Sequence, residues 1–257
     1  MEQSKLRPWH GIVVLAFFML VMFFVLKPVQ KALGAPGLFI TEGFIALTGI
    51  AGVFVFGGKS QDLLPIAKTR VRYVVGSVFL WLGGYFLSIA INTVTTMWFP
   101  ETQQTSQTIS DMFGRQNLLI ATIIPALMAG VCEELMHRGM ILSSLRPIKS
   151  VWLRVLICGA FFGLFHMSPF RFFPTAVMGG VLAFVVLQTG NIIIAMALHT
   201  LNDLIGFMAV YFLIPNEKVT AAAQNPSWSN AITQLVLGAV PFIIGGLLMR
   251  RGRARAA

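Results

Sequence analysis

The sequence predicts an all-α, polytopic membrane protein of about eight transmembrane helices, and three observations lead there. Of the 257 residues, 56% are hydrophobic and only 11% are charged, against about 25% charged in a soluble domain. The apolar residues fall into runs close to the roughly 20 needed to cross the hydrocarbon core of a bilayer. The segments between those runs are too short to hold a separate soluble domain, so 1–257 reads as a single transmembrane domain.

In chain order the expected spans are 10–27, 38–57, 70–94, 117–138, 150–167, 173–189, 191–213 and 230–249. The first follows a basic start and ends at Lys27 and Lys31, which reads as a retained signal anchor; Ala32-Leu33-Gly34 is a weak cleavage lookalike. The first three spans, within about 1–115, carry almost no ionisable side chains beyond their ends and are expected to be scaffold. Glu42, near the start of the second, and His10, beside Trp9, are expected at the solvated membrane boundary. Residues of about 116–213 hold the chemistry-bearing side chains, and about 214–257 form a last helix and a basic tail. Two polar loops, roughly 99–116 and 214–229, contain no chemical motif.

A net charge of +10 invites a nucleic-acid reading, but the placement of the cations removes its motive. With eight spans both termini share a side, which would hold Lys5, Arg7, Lys59, Lys68, Arg70, Arg72, Arg146, Lys149, Arg154, Arg250, Arg251, Arg253 and Arg255. The other side would hold only Lys27, Lys31, Arg115, Arg171 and Lys218. That asymmetry follows the positive-inside rule and puts both termini, and the loops near 58–70 and 139–150, in the cytoplasm. The cluster from Arg250 to Arg255 reads as a stop signal, with contact to anionic lipid as the lesser reading. Cys132 and Cys158, both within expected spans, read as small buried apolar groups rather than a disulfide or metal framework.

Charges near the bilayer centre cost on the order of 3 kcal/mol on insertion scales, so ionisable residues there are functional candidates. They concentrate on three spans: Glu133, Glu134, His137 and Arg138 on the fourth, His166 on the fifth, and His199, Asn202 and Asp203 on the seventh. Helical neighbours lie three and four positions apart. Glu134 is therefore expected to pair with Arg138, while Glu133 points elsewhere. Phe162 should pack near His166, and His199 should share a face with Asp203. Measured from the loop at Pro147, Glu133 lies about 20 Å deep and His166 a little over 20 Å, whereas His199 lies roughly 13 Å from its own loop at Gly190. The last value matches only if that loop sits deeper.

These residues carry a resemblance. Glu133-Glu134-Leu135-Met136-His137-Arg138, Phe162 to His166, and His199 to Asp203 are similar to the three motifs of the CAAX-protease and bacteriocin-processing (CPBP, or Abi) family, in order and on matching helices. The resemblance covers about 117–213; the first three helices match only in number. It implies an eight-helix intramembrane endopeptidase that uses no metal or other cofactor and cuts a membrane-associated or lipidated peptide or protein. Glu133 would be the general base, acting with His166 on water, and His199 and Asp203 would stabilise the oxyanion, with Glu134, Arg138, Phe162 and Asn202 in support. Asp203 can donate to the oxyanion only with a proton of its own; ionised, it would instead orient His199.

Two other readings stay open from the residues. Two histidines and a glutamate are also a zinc-hydrolase ligand set, although no His-Glu-x-x-His occurs. An immunity factor, scaffold or transporter could use the same groups without chemistry, but inverted repeats and helices broken at the midplane are not evident in the sequence.

Overall fold

The computed structural model describes residues 4–100, 117–213 and 226–250. Most of the two polar loops, together with Arg115, Lys218, Arg251, Arg253 and Arg255, lies outside the described residues. The described chain forms α1 (Pro8–Leu33), α2 (Ala35–Val55), α3 (Val71–Trp98) and α4 (Leu119–Ser144). It continues as α5 (Val151–Phe165), α6 (Pro169–Thr189), α7 (Ile192–Leu213) and α8 (Trp228–Met249). No strand occurs among the described residues, which hold one isolated bridge, Ile66 to Asn191.

Seven of these helices are long and apolar enough to cross a membrane, one fewer than expected. The exception is α5, whose 15 residues span about 22 Å against a hydrocarbon core of about 30 Å. Local sequence sets both of its ends. The Ser150 hydroxyl accepts from the Leu153 amide and caps the start. At the other end Met167 turns into the left-handed region at φ 49° and Pro169 opens α6, so the helix stops with His166 at its cap. The two helices then form a tight hairpin, so the chain still reverses direction here.

α4 is the hub. It packs on α2 and α1 along one side and on α7 along the other, while α6 joins α5 to α3, and α3 carries α8. One buried cluster, including Phe18, Ile45, Met136, Met140 and Phe165, fills the contact of α1 and α2 with α4. A second, including Trp81, Leu142, Cys158, Leu182 and Leu198, joins α3 to α7 around the other side. Outside, large apolar side chains such as Phe24, Val55, Val71 and Leu156 are exposed, the expected surface of a bundle bathed in lipid. The α2–α3 connection is held against the end of α4 by Arg146 paired with Asp62 and by Ser143 Oγ donating to the Asp62 carbonyl at 2.8 Å.

Candidate active site

The site begins with a change of pitch. α4 is α-helical over Ile124–Glu134 and π-helical over Leu135–Ile141, so the wider turns start directly after the two acids. Such stretches are frequent at functional positions because they re-aim side chains within a continuous helix.

Glu134 and Arg138 form the expected pair, both without solvent exposure, with Arg138 Nη1 donating to Glu134 Oε1 at 2.5 Å. The pair also ties four helices together. Arg138 Nη2 donates to the Gly179 carbonyl on α6 at 2.8 Å, and the guanidinium lies 5.0 Å from the Phe162 ring centroid on α5. On α7, His199 Nδ1 stands 2.8 Å from the same Glu134 oxygen. A buried charge needs such hydrogen bonds to offset its desolvation. The short reach to α7 depends on Gly130, where a Cβ would stand 2.7 Å from the Thr200 amide nitrogen.

A ring nitrogen facing a carboxylate oxygen is assigned as the protonated one. His199 therefore turns Nε2 toward the other acids, 3.5 Å from Asp203 Oδ2 and 3.8 Å from Glu133 Oε2. Asn202 Nδ2 donates to Asp203 Oδ1 at 3.1 Å, which commits one of its amide hydrogens. Glu133 differs from all of these. It is only 7% exposed, and among the described residues its carboxyl makes no hydrogen bond, since 3.8 Å exceeds hydrogen-bonding distance; Oε2 of Glu134 is equally unpartnered, but Glu134 is held through Oε1.

His166 is fixed by Nδ1 on the Phe162 carbonyl at 2.9 Å, which leaves Nε2 outside that bond. Its ring meets Phe162 edge-on at 5.0 Å, and Phe162 meets His199 at 5.6 Å, so one phenyl ring is a wall to both imidazoles. Among the described contacts none joins His166 directly to Glu133. His137 takes a different course from the acid one turn before it: Nδ1 bonds the Glu133 carbonyl oxygen at 2.9 Å and the ring packs edge-on against Phe162 and Phe165, each at 4.8 Å. Its imidazole is thus occupied with backbone and aromatic rings.

The depth mismatch of His199 has a structural cause. The Gly190 turn is covered by the α2–α3 connection: the Ala67 amide donates to the Gly190 carbonyl at 3.0 Å and the Ile192 amide to the Pro65 carbonyl at 2.8 Å. α7 thus starts beneath that cover, and His199 comes level with Glu133.

Two boundary expectations are corrected. Glu42 is buried at 6% exposure and lies within electrostatic reach of Glu133, His199 and Asp203. The signal for this was in the sequence, since Glu42 shares a helical stripe with Gly49 and Gly52, and a glycine stripe marks the face that packs on another helix. His10 is also buried, stacked at 4.2 Å on Phe56, with Nδ1 accepting from the Arg7 amide at 2.9 Å. Its ring satisfies the start of α1 instead of meeting water. Arg171, expected in an external loop, lies on the first turn of α6, within electrostatic reach of Glu133, Asp203 and His166. Among the described residues, no group of three or more His, Cys, Asp or Glu side chains could hold a metal ion.

Residues 115–205 match the family model described as type II CAAX prenyl endopeptidase Rce1-like. Over this segment, about a third of the chain, the sequence is similar to the Rce1-like CAAX proteases. All three motifs fall inside the Rce1-like segment, and Glu42 falls outside it. The Rce1-like match indicates a CAAX-type membrane protease, a peptide hydrolase. Neither a curated protein nor a solved structure matches the chain.

Proposed function

We propose that this chain is an intramembrane glutamic endopeptidase that cuts a membrane-associated or lipidated peptide, with Glu133 as its general base. The observation that carries the reading is the contrast on α4: Glu134 is bonded twice, whereas Glu133 is buried, unbonded and turned toward His199 and Asp203. A buried carboxyl kept without a partner costs stability, so its retention points to chemistry.

In the proposed reaction Glu133 takes a proton from a water held with His166 Nε2, and the hydroxide attacks the scissile carbonyl. The new oxyanion is met by His199 Nε2 and Asp203, at least one of them carrying a proton. Collapse of the tetrahedral intermediate breaks the C–N bond, and the proton on Glu133 passes to the leaving amine. Preorganised donors of this kind are each worth on the order of 10²-fold in rate. Asp203 as a proton-carrying donor is the preferred form, with Asn202 holding its second oxygen.

The family description supports a prenylated CAAX protein as one substrate class, and the resemblance to bacterial members of the family makes an inner membrane the proposed setting. Both termini are proposed to be cytoplasmic, because the α5–α6 hairpin preserves the reversal on which the charge asymmetry rests. The test uses purified chain in lipid vesicles with a prenylated peptide ending in a CAAX sequence. Cleavage that persists in chelator and is lost in Glu133→Gln supports the reading. Cleavage lost in chelator and restored by zinc contradicts the glutamate mechanism, and substrate uptake without cleavage contradicts the protease.

A further inference from the structure

α2 meets α4 along a buried stripe of Glu42, Ile45, Gly49, Gly52 and Val53. A Cβ at Gly49 would stand 2.6 Å from Met136 Cα, and one at Gly52 would stand 3.2 Å from Met140 Cγ. Both contacts advance in the same sense, so the helices run parallel and nearly touch. Continuing that register two turns back sets Glu42 opposite Ala129, about one helical turn from Glu133.

The Glu42 Oε2 atom is buried and has no hydrogen-bond partner. Among the described residues no hydrogen bond ties this carboxyl to the scaffold, which removes the usual structural reason for a buried acid. The ionisable groups that face it are Glu133 and Cys132 on α4 and His199 and Asp203 on α7. Four acids thus meet in one region: Glu42, Glu133, Glu134 and Asp203. Of the permanent cations near them, Arg138 is bonded to Glu134, and Arg171 faces Glu133 and Asp203. Carboxylates crowded into a low-dielectric site cannot all be ionised, and they hold protons as a set rather than singly.

We propose that Glu42 is a positioning residue for Glu133, its buried carboxylate acting on that acid by charge across the α2–α4 contact, a role that rests on Glu133 being the base of the proteolytic site. A negative charge on Glu42 makes Glu133 the better proton acceptor; once Glu133 has taken a proton from water, Glu42 faces a neutral neighbour. No bond forms or breaks at Glu42.

The proposal is tested by infrared difference spectroscopy of the carboxylic-acid C=O stretch, with the full chain in lipid vesicles and the pH varied. The band lost in Glu133→Gln identifies Glu133. In Glu42→Gln that band's midpoint should move to lower pH by about one unit or more, because a like charge has been removed. Glu42→Asp should keep most of the native midpoint, and thermal unfolding of all three variants should stay close to that of the unaltered chain. In the cleavage assay the acid limb of kcat should move with the band while KM changes little. A Glu133 midpoint unmoved in Glu42→Gln overturns the proposal. This readout needs no substrate, so its failure is separate from that of the protease reading: an uncoupled Glu42 beside a Glu133→Gln variant that cuts nothing leaves the protease intact.

Discussion

The two adjacent acids of α4 are treated in opposite ways. On the α6 and α7 side, Glu134 accepts from both Arg138 and His199, Arg138 reaches a carbonyl on α6, and the guanidinium rests against Phe162. By contrast Glu133, turned toward His199 and Asp203, and Glu42 on α2 make no carboxyl hydrogen bond among the described residues, while Glu134 leaves only its Oε2 unbonded. The first arrangement is what a buried charge needs if it is to hold a fold together; the second is poor as structure and suited to groups that must exchange protons. One residue step along a helix, about 100° of rotation, separates the two uses.

The comparison is broken most severely through Arg138. Removing one partner of a buried pair typically costs about 3–5 kcal/mol, so Arg138→Ala should abolish folded yield in membranes, as read by detergent extraction and size-exclusion chromatography. Glu134→Gln should lower the unfolding temperature in the same direction by less, because the amide oxygen still accepts from Arg138 and His199. Gly130→Ala comes next. The added methyl meets the Thr200 backbone and must push α4 from α7, with a stability loss of about 1–3 kcal/mol and a fall in cleavage, both measured on the same preparation.

On the chemical side the expected effects divide rates rather than stability. Asp203→Ala should lower kcat by on the order of 10²-fold, as loss of one oxyanion donor does, whereas Asp203→Asn should keep substantial activity because an amide donates at any pH. Equal inactivity of the two, with normal unfolding curves, contradicts the neutral-donor form. The smallest effect is expected from His137→Gln. Its ring is spent on the Glu133 carbonyl and on two phenyl rings, so most activity should remain; a loss equal to that of His166→Ala would place His137 in the site.

The contrast was partly legible in the sequence. Spacing of four residues sufficed to pair Glu134 with Arg138 and to set Phe162 against His166, because both relations are local to one helix. The reach of Glu134 to His199 was not legible, since it depends on the α4–α7 approach at Gly130. Glu42 and His10 depart from expectation for one reason: nearness to a helix end is not nearness to water, since packing against α4 buries Glu42 and stacking on Phe56 buries His10. The shortness of α5 was hidden because the apolar run continues through His166 and Met167, while the backbone turns at φ 49°.

The division between the two acids is tested most directly by a paired measurement of Glu133→Gln and Glu134→Gln in the same vesicles, each scored for peptide cleavage and for thermal unfolding. Glu133→Gln should cut nothing and unfold where the unaltered chain does, because its carboxyl makes no hydrogen bond to lose. Glu134→Gln should unfold at lower temperature. Equal loss of cleavage in both variants with no change in either unfolding curve would contradict the division between the two acids.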